Sequence, residues 1–104
     1  MDKIYVDQFD IDKGVPANCG ECPIALALAA HYNVPGHIVI VESYDSIYVG
    51  ETRIVVHDDD KPIVEAFIED FDCQEAEIPE DEWILYRKYT MKPISFRFTE
   101  GKGI

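Results

Sequence analysis

The chain has 104 residues, of which 9 are Lys or Arg and 21 are Asp or Glu, for a net charge of −12; 47% are hydrophobic. That length and apolar content fit one folded domain and exclude wholesale disorder. The charge opposes any broad contact with a nucleic-acid backbone or an anionic membrane, because the basic residues are scattered and their tightest cluster is Arg87-Lys88.

The longest apolar run, residues 24–30, is far below the roughly 20 residues of a membrane span. No charged-then-apolar leader opens the sequence. The 3 Cys are too few for a disulfide scaffold. A cytoplasmic domain with reduced thiols is therefore expected. The acidic excess has two readings: it keeps a small domain soluble, or it forms a face that meets and steers a basic partner.

In chain order, Ile4-Tyr5-Val6 with Phe9 and Ile11 predicts an opening strand running into a turn. Residues 12–21 hold Gly14, Pro16, Asn18 and Gly20, which punctuate a loop. A helix is expected from Cys22-Pro23, since Pro suits a first turn. Residues 24–32 are almost purely apolar, as in a helix buried on nearly every side. Asn33, Pro35 and Gly36 end it.

Residues 37–41, 46–49 and 52–57 are β-rich, and the Gly50 break predicts a hairpin with Ile54 and Val56 on one face. The spacing of Ile63, Val64, Phe67, Ile68 and Phe71 is helical, with Asp60 as the expected N-cap. This gives the run Asp58-Asp59-Asp60 a structural purpose at a helix start, in preference to chelation. A polar link follows at residues 75–79. Pro79, three acids and then Trp83-Ile84-Leu85-Tyr86-Arg87-Lys88 predict a short third helix, with a strand as the competing reading. Pro93 to Phe98 alternates like a half-buried strand. The order implies an α+β fold: a small, mostly antiparallel sheet of four or five strands carrying two main helices and a short third one.

Cys19-x-x-Cys22 is the most specific local motif. Two thiolates at this spacing can share a metal or close a small disulfide, and Cys22 at a helix start is the more acidic member. A zinc site would need Cys73 or one of His31, His37 and His57 to complete it, yet none of these forms a second paired motif. A redox motif would follow a strand directly, whereas here a turn-rich stretch intervenes. Buried packing is the simplest reading of the pair. His31, within the apolar helix, is expected to be a hydrogen-bonded core residue. No catalytic triad, phosphate loop or paired catalytic carboxylates can be picked out, so no enzyme is expected. Tyr44, Tyr48, Trp83, Tyr86 and Tyr89 are candidate interface aromatics, with packing as the alternative. A small-ligand protein would instead draw cationic groups from Arg53, Arg87, Lys88 or Arg97.

The segments Asp10-Ile11-x-x-Gly14, Cys19-x-x-Cys22-Pro23-Ile24-Ala25-Leu26-Ala27, the apolar helix ending Phe71-Asp72, and Pro93-Ile94-Ser95-Phe96-Arg97-Phe98 resemble a family of small bacteriophage and prophage proteins. That family has no assigned activity, so the resemblance implies a fold and an origin. This chain departs from the family's pattern over roughly residues 75–91. The expectation is a non-enzymatic bacteriophage accessory protein in the host cytoplasm. It binds a host protein, such as a component of a defence system, through its acidic surface and exposed aromatics. The inserted segment around Trp83 is where specific binding is placed, because insertions sit on surfaces and carry function. A homodimer paired through residues 94–98 is a further expectation.

Overall fold

The computed structural model describes residues 2–16, 18 and 20–101, with the backbone alone at Glu75, Ala76 and Tyr89. Its elements are β1 (Asp2–Val6), α1 (Gln8–Lys13), α2 (Pro23–Tyr32), β2 (Val39–Ser43), β3 (Ser46–Val49), β4 (Thr52–Val56), α3 (Lys61–Glu77), α4 (Trp83–Thr90) and β5 (Ile94–Gly101). The fold is α+β. One five-stranded sheet has the order β1-β5-β4-β3-β2, and every neighbouring pair is antiparallel.

Alternation along each strand sends one set of side chains inward: Ile4 and Val6, Val39 and Val41, Ile47 and Val49, Ile54 and Val56, Phe96 and Phe98. The inward set joins Ile24, Leu28, Val64, Phe67 and Phe71 from the helices in a single core. The opposite face, with Tyr5, Ile40 and Arg53, is open to solvent. A sheet covered on one side explains the alternation seen in the sequence.

Four local outcomes differ from the sequence-based expectation. Phe9 and Ile11 do not continue β1, because a short helix intervenes. Asp7 and Asp10 form a reciprocal capping box: the Asp7 carboxylate accepts from Asp10 N at 2.9 Å, and the Asp10 carboxylate accepts from Asp7 N at 3.3 Å. The helix buries Ile11 and leaves Phe9 67% exposed. Next, β2 begins at Val39 because Gly36–Ile38 form a 3-10 turn first. Third, α3 runs through the expected polar link to Glu77. Fourth, His31 is exposed. It lies at the last turn of α2 with its ring edge-on to Tyr32 and Phe98 at 5.1 and 5.8 Å, not in the core.

The N-cap expected at Asp60 also fails, for an informative reason. A 3-10 turn, Asp58–Asp60, precedes α3, and His57 caps that turn by accepting from Asp59 N through Nδ1 at 3.2 Å. Asp60 makes no capping bond. Its carboxylate instead accepts from the backbone N and the guanidinium of Arg97 at 2.7, 3.0 and 2.9 Å. The His57 amide already pairs with Arg97 O at 2.8 Å. Asp60 therefore takes over from β4 where the β4–β5 ladder ends. Asp58 holds Lys61 at 2.8 Å. The triple-Asp run is structural, as its sequence implied, through different bonds.

α2 matches its expected bounds. Cys22 is its N-cap and accepts from Ala25 N through Sγ at 3.4 Å, Pro23 fills the first turn, and Asn33 closes it at φ 56°. Gly14 is required by close approach: a Cβ there would lie 2.6 Å from Pro23 Cδ and 2.9 Å from Phe71 Cζ. Residues 83–90 are helical, which decides against the strand reading. β5 lies between β1 and β4, with residues 94–98 paired to β1 and 98–101 to β4, so the strand expected to pair across a dimer axis is an inner strand of the sheet. The sheet edges are β1 and β2.

Candidate functional site

Two surface features are candidates for function. The first is the turn and helix over residues 80–90. α4 is short and its sequence mixes apolar and charged residues, so packing at a few points must hold it. Trp83 and Arg87, four residues apart, share one side of the helix. The Trp83 indole donates to Ile78 O at 3.0 Å and to Gln74 O at 3.3 Å, closing carbonyls at the end of α3. Arg87 is only 2% exposed. Its Nε donates to Gln74 Oε1 at 2.8 Å, and its Nη1 donates to Ile11 O at 3.0 Å and Asp12 O at 2.8 Å. Those two carbonyls belong to the last turn of α1, the negative end of that helix. The guanidinium lies 4.7 Å from the Phe71 ring centroid and 5.4 Å from that of Trp83. Burial lowers its pKa from the usual arginine value, yet a guanidinium stays charged.

With Trp83 and Arg87 turned inward, Ile84 and Leu85 project outward at 64% and 58% exposure. Leu85 borders a shallow depression of about 320 Å³ lined also by Ile78, Glu82 and Tyr86. Glu80, Asp81 and Glu82 stand exposed immediately before them. An anchored helix thus presents two large aliphatic side chains beside three carboxylates.

The second feature is a cleft of about 260 Å³ between the start of α2, the middle of α3 and β2. Its walls include Ile24, Val41, Phe67 and Phe71, with Asn18, Glu42 and Asp72 also lining it.

The residues singled out from sequence are scattered over these features. Trp83 is half-buried and spends its indole N–H internally. Tyr86 is half-buried and donates to Asp70 Oδ1 at 3.1 Å. Tyr44 packs against the core, and Tyr48 is half-buried on the open sheet face beside Ile40 and Arg53. Only the backbone of Tyr89 is described. Cys19 lies outside the described residues, Cys22 is buried at the α2 start, and Cys73 is exposed on α3. Among the described residues no group of three His, Cys, Asp or Glu is placed to hold a metal ion.

The cations of the small-ligand reading do not converge. Arg87 is enclosed by helices, Arg97 is bound to Asp60, Arg53 donates to Asp45 O at 3.1 Å on the open face, and Lys88 is exposed. Among the described residues no helix is long and apolar enough to cross a membrane. The residues missed from sequence are Ile84, Leu85, Glu42 and Asp72. The spacing of Trp83 and Arg87 was the available signal for the first pair, since two inward positions leave 84 and 85 outside. Comparison of the chain with protein-family models, curated proteins and solved structures finds no match in any of the three.

Proposed function

We propose that this chain is a non-enzymatic accessory protein of bacteriophage origin, that it works by binding a basic host protein, and that a component of a host defence system fits this role. The observation that carries the reading is the pair Ile84 and Leu85, exposed on a helix pinned from beneath by Trp83 and Arg87 and flanked by Glu80, Asp81 and Glu82. Exposed aliphatic side chains give a partner apolar area to bury, and a preorganised support lowers the ordering cost of binding. Carboxylates at their margin steer a positively charged partner and reject an acidic one. The net charge of −12 acts in the same direction over the whole surface. The contact is assigned to the aliphatic pair, not to Trp83, whose role is to hold the helix.

The test is affinity capture from bacterial lysate with the wild-type chain, with Ile84→Asp/Leu85→Asp and with Glu80→Gln/Asp81→Asn/Glu82→Gln. The expected result is a basic partner retained by the wild type, lost from the first variant and released at lower salt from the second, with all three chains melting alike. Retention of the same partner by the aliphatic double variant would refute the assignment.

A further inference from the structure

We propose that the cleft between α2, α3 and β2 binds a small organic cation with an apolar body, an aryl-alkyl ammonium of fragment size. This site is separate from the α4 surface, and the inference does not rest on the reading given there. The volume of about 260 Å³ exceeds the roughly 150 Å³ that accepts a benzene molecule in an apolar cavity. There is room for one ring and a short chain. It is below the usual range for larger ligands, roughly 300–1,000 Å³.

Ile24, Val41, Phe67 and Phe71 supply apolar wall, and the two aromatic rings are parallel within 2° with centroids 6.3 Å apart. The charged residues lining the cleft are Glu42 and Asp72, both exposed, and no Lys, Arg or His lines it among the described residues. Arg87 touches the Phe71 ring but is enclosed; its Nε and Nη1 bond Gln74 and the α1 carbonyls, and its Nη2 is buried without a hydrogen-bond partner among the described residues. An apolar body therefore has a place to be buried, and an ammonium beside it meets the exposed Glu42 carboxylate, with Asp72 adding to the negative field. The same carboxylates and the net charge of −12 oppose an anionic ligand, a nucleic acid or a second copy of this acidic chain.

The experiment titrates the purified full chain with 2-phenylethylammonium, with neutral 2-phenylethanol and with 3-phenylpropionate, following methyl and amide NMR signals. The expected result is a dissociation constant on the order of 1 mM for the ammonium, as suits so few heavy atoms. Shifts should centre on Ile24, Val41 and Ile68. Binding of the alcohol should be at least about tenfold weaker, and the carboxylate should not bind. Glu42→Gln should weaken the ammonium about three- to tenfold and leave the alcohol unchanged. Ile68→Trp, which fills the cleft from a half-buried position, should abolish binding while the chain melts as before. Equal binding of ammonium and alcohol, shifts spread over acidic surface away from the cleft, binding unaffected by Ile68→Trp, or no shift at about 10 mM ammonium would each overturn the proposal.

Discussion

Arg87 and Arg97 each join a helical segment to a distant part of the chain, under opposite conditions. Arg97 keeps its side chain 41% exposed and shares its charge with the Asp60 carboxylate at 2.9 Å. Arg87 is almost fully enclosed, against a glutamine oxygen, two main-chain carbonyls and two aromatic rings. The Arg97 site is an ion pair whose strength follows the titration of its acid. The Arg87 site is held by hydrogen bonds to neutral oxygens and by two rings, with the Asp12 charge nearby. Around Arg87 the cost of an error is large, because a buried charge or its partners would be left unsatisfied. Around Arg97 solvent reaches the guanidinium and can repair part of the loss, although the Asp60 carboxylate it holds is itself buried.

The largest expected effect breaks the buried side of this contrast. Arg87→Ala removes the guanidinium from Gln74, Ile11 and Asp12 and leaves a cavity beside Phe71. It should destabilise by about 3–5 kcal/mol in a urea titration. Arg87→Met keeps volume and stem and should cost less, although the abandoned carbonyls still lack donors. If Arg87→Ala costs under about 1 kcal/mol, the buried contacts are not what holds α4.

Trp83→Ala comes next, at about 2 kcal/mol, below the usual range for a large aromatic because the ring is half-buried. Trp83→Phe should cost about 1 kcal/mol, the worth of one indole hydrogen bond. Calorimetric melting of both variants checks the pair.

The Arg97 side of the contrast is read by acid. The hydrogen bonds from Arg97 hold the Asp60 carboxyl well below the usual carboxylate range. Its stabilisation is full above the unfolded value of 3.8 and is lost as pH falls below it. Asp10 has the opposite sign. Burial pushes its carboxyl up to about 6, so the folded chain binds that proton more tightly. That contribution is full below 3.8 and is lost as pH rises through about 6. Melting temperatures taken from pH 7 down to pH 2 should therefore rise first and then fall. Asp10→Asn should flatten the rise between pH 6 and 4, and Asp60→Asn should flatten the fall below pH 4. Neither variant should change the limb assigned to the other. The smallest expected effect on stability, within about 0.5 kcal/mol, belongs to Ile84→Asp and Leu85→Asp. These positions lie outside both arginine sites, and any larger loss would place them in the packing.

What the sequence made legible follows the same division. α2 could be bounded from its apolar composition, its proline and its closing asparagine, because every signal was local. The β3–β4 hairpin was local too, with Gly50 at φ 61° in the turn. The α1 capping box was present as Asp7-x-x-Asp10, but Phe9 and Ile11 drew the reading toward a strand. Asp60 looked like a helix cap because its real partner lies 37 residues away. Arg87 looked like a free surface cation because a charged residue carries no mark of burial, and its α1 partners lie 75 and 76 residues distant. The inward turn of Trp83 likewise depends on where α3 ends. The cleft joins residues from α2, β2 and α3, and no spacing within one segment reports it.

The position of β5 has a consequence for how the chain is made. Residues 94–101 supply the strand that joins β1 to β4, pairing Asp2 with Phe98 and Val56 with the same Phe98. Until those residues leave the ribosome, β1 and the β2–β4 meander have no common partner, and the inner face of β4 lies open along one edge. Closing so long a loop is slow compared with forming α2 or the hairpin. Nascent chains stalled before residue 94 should be sticky and easily cut by protease, and those that expose residue 101 should resist it.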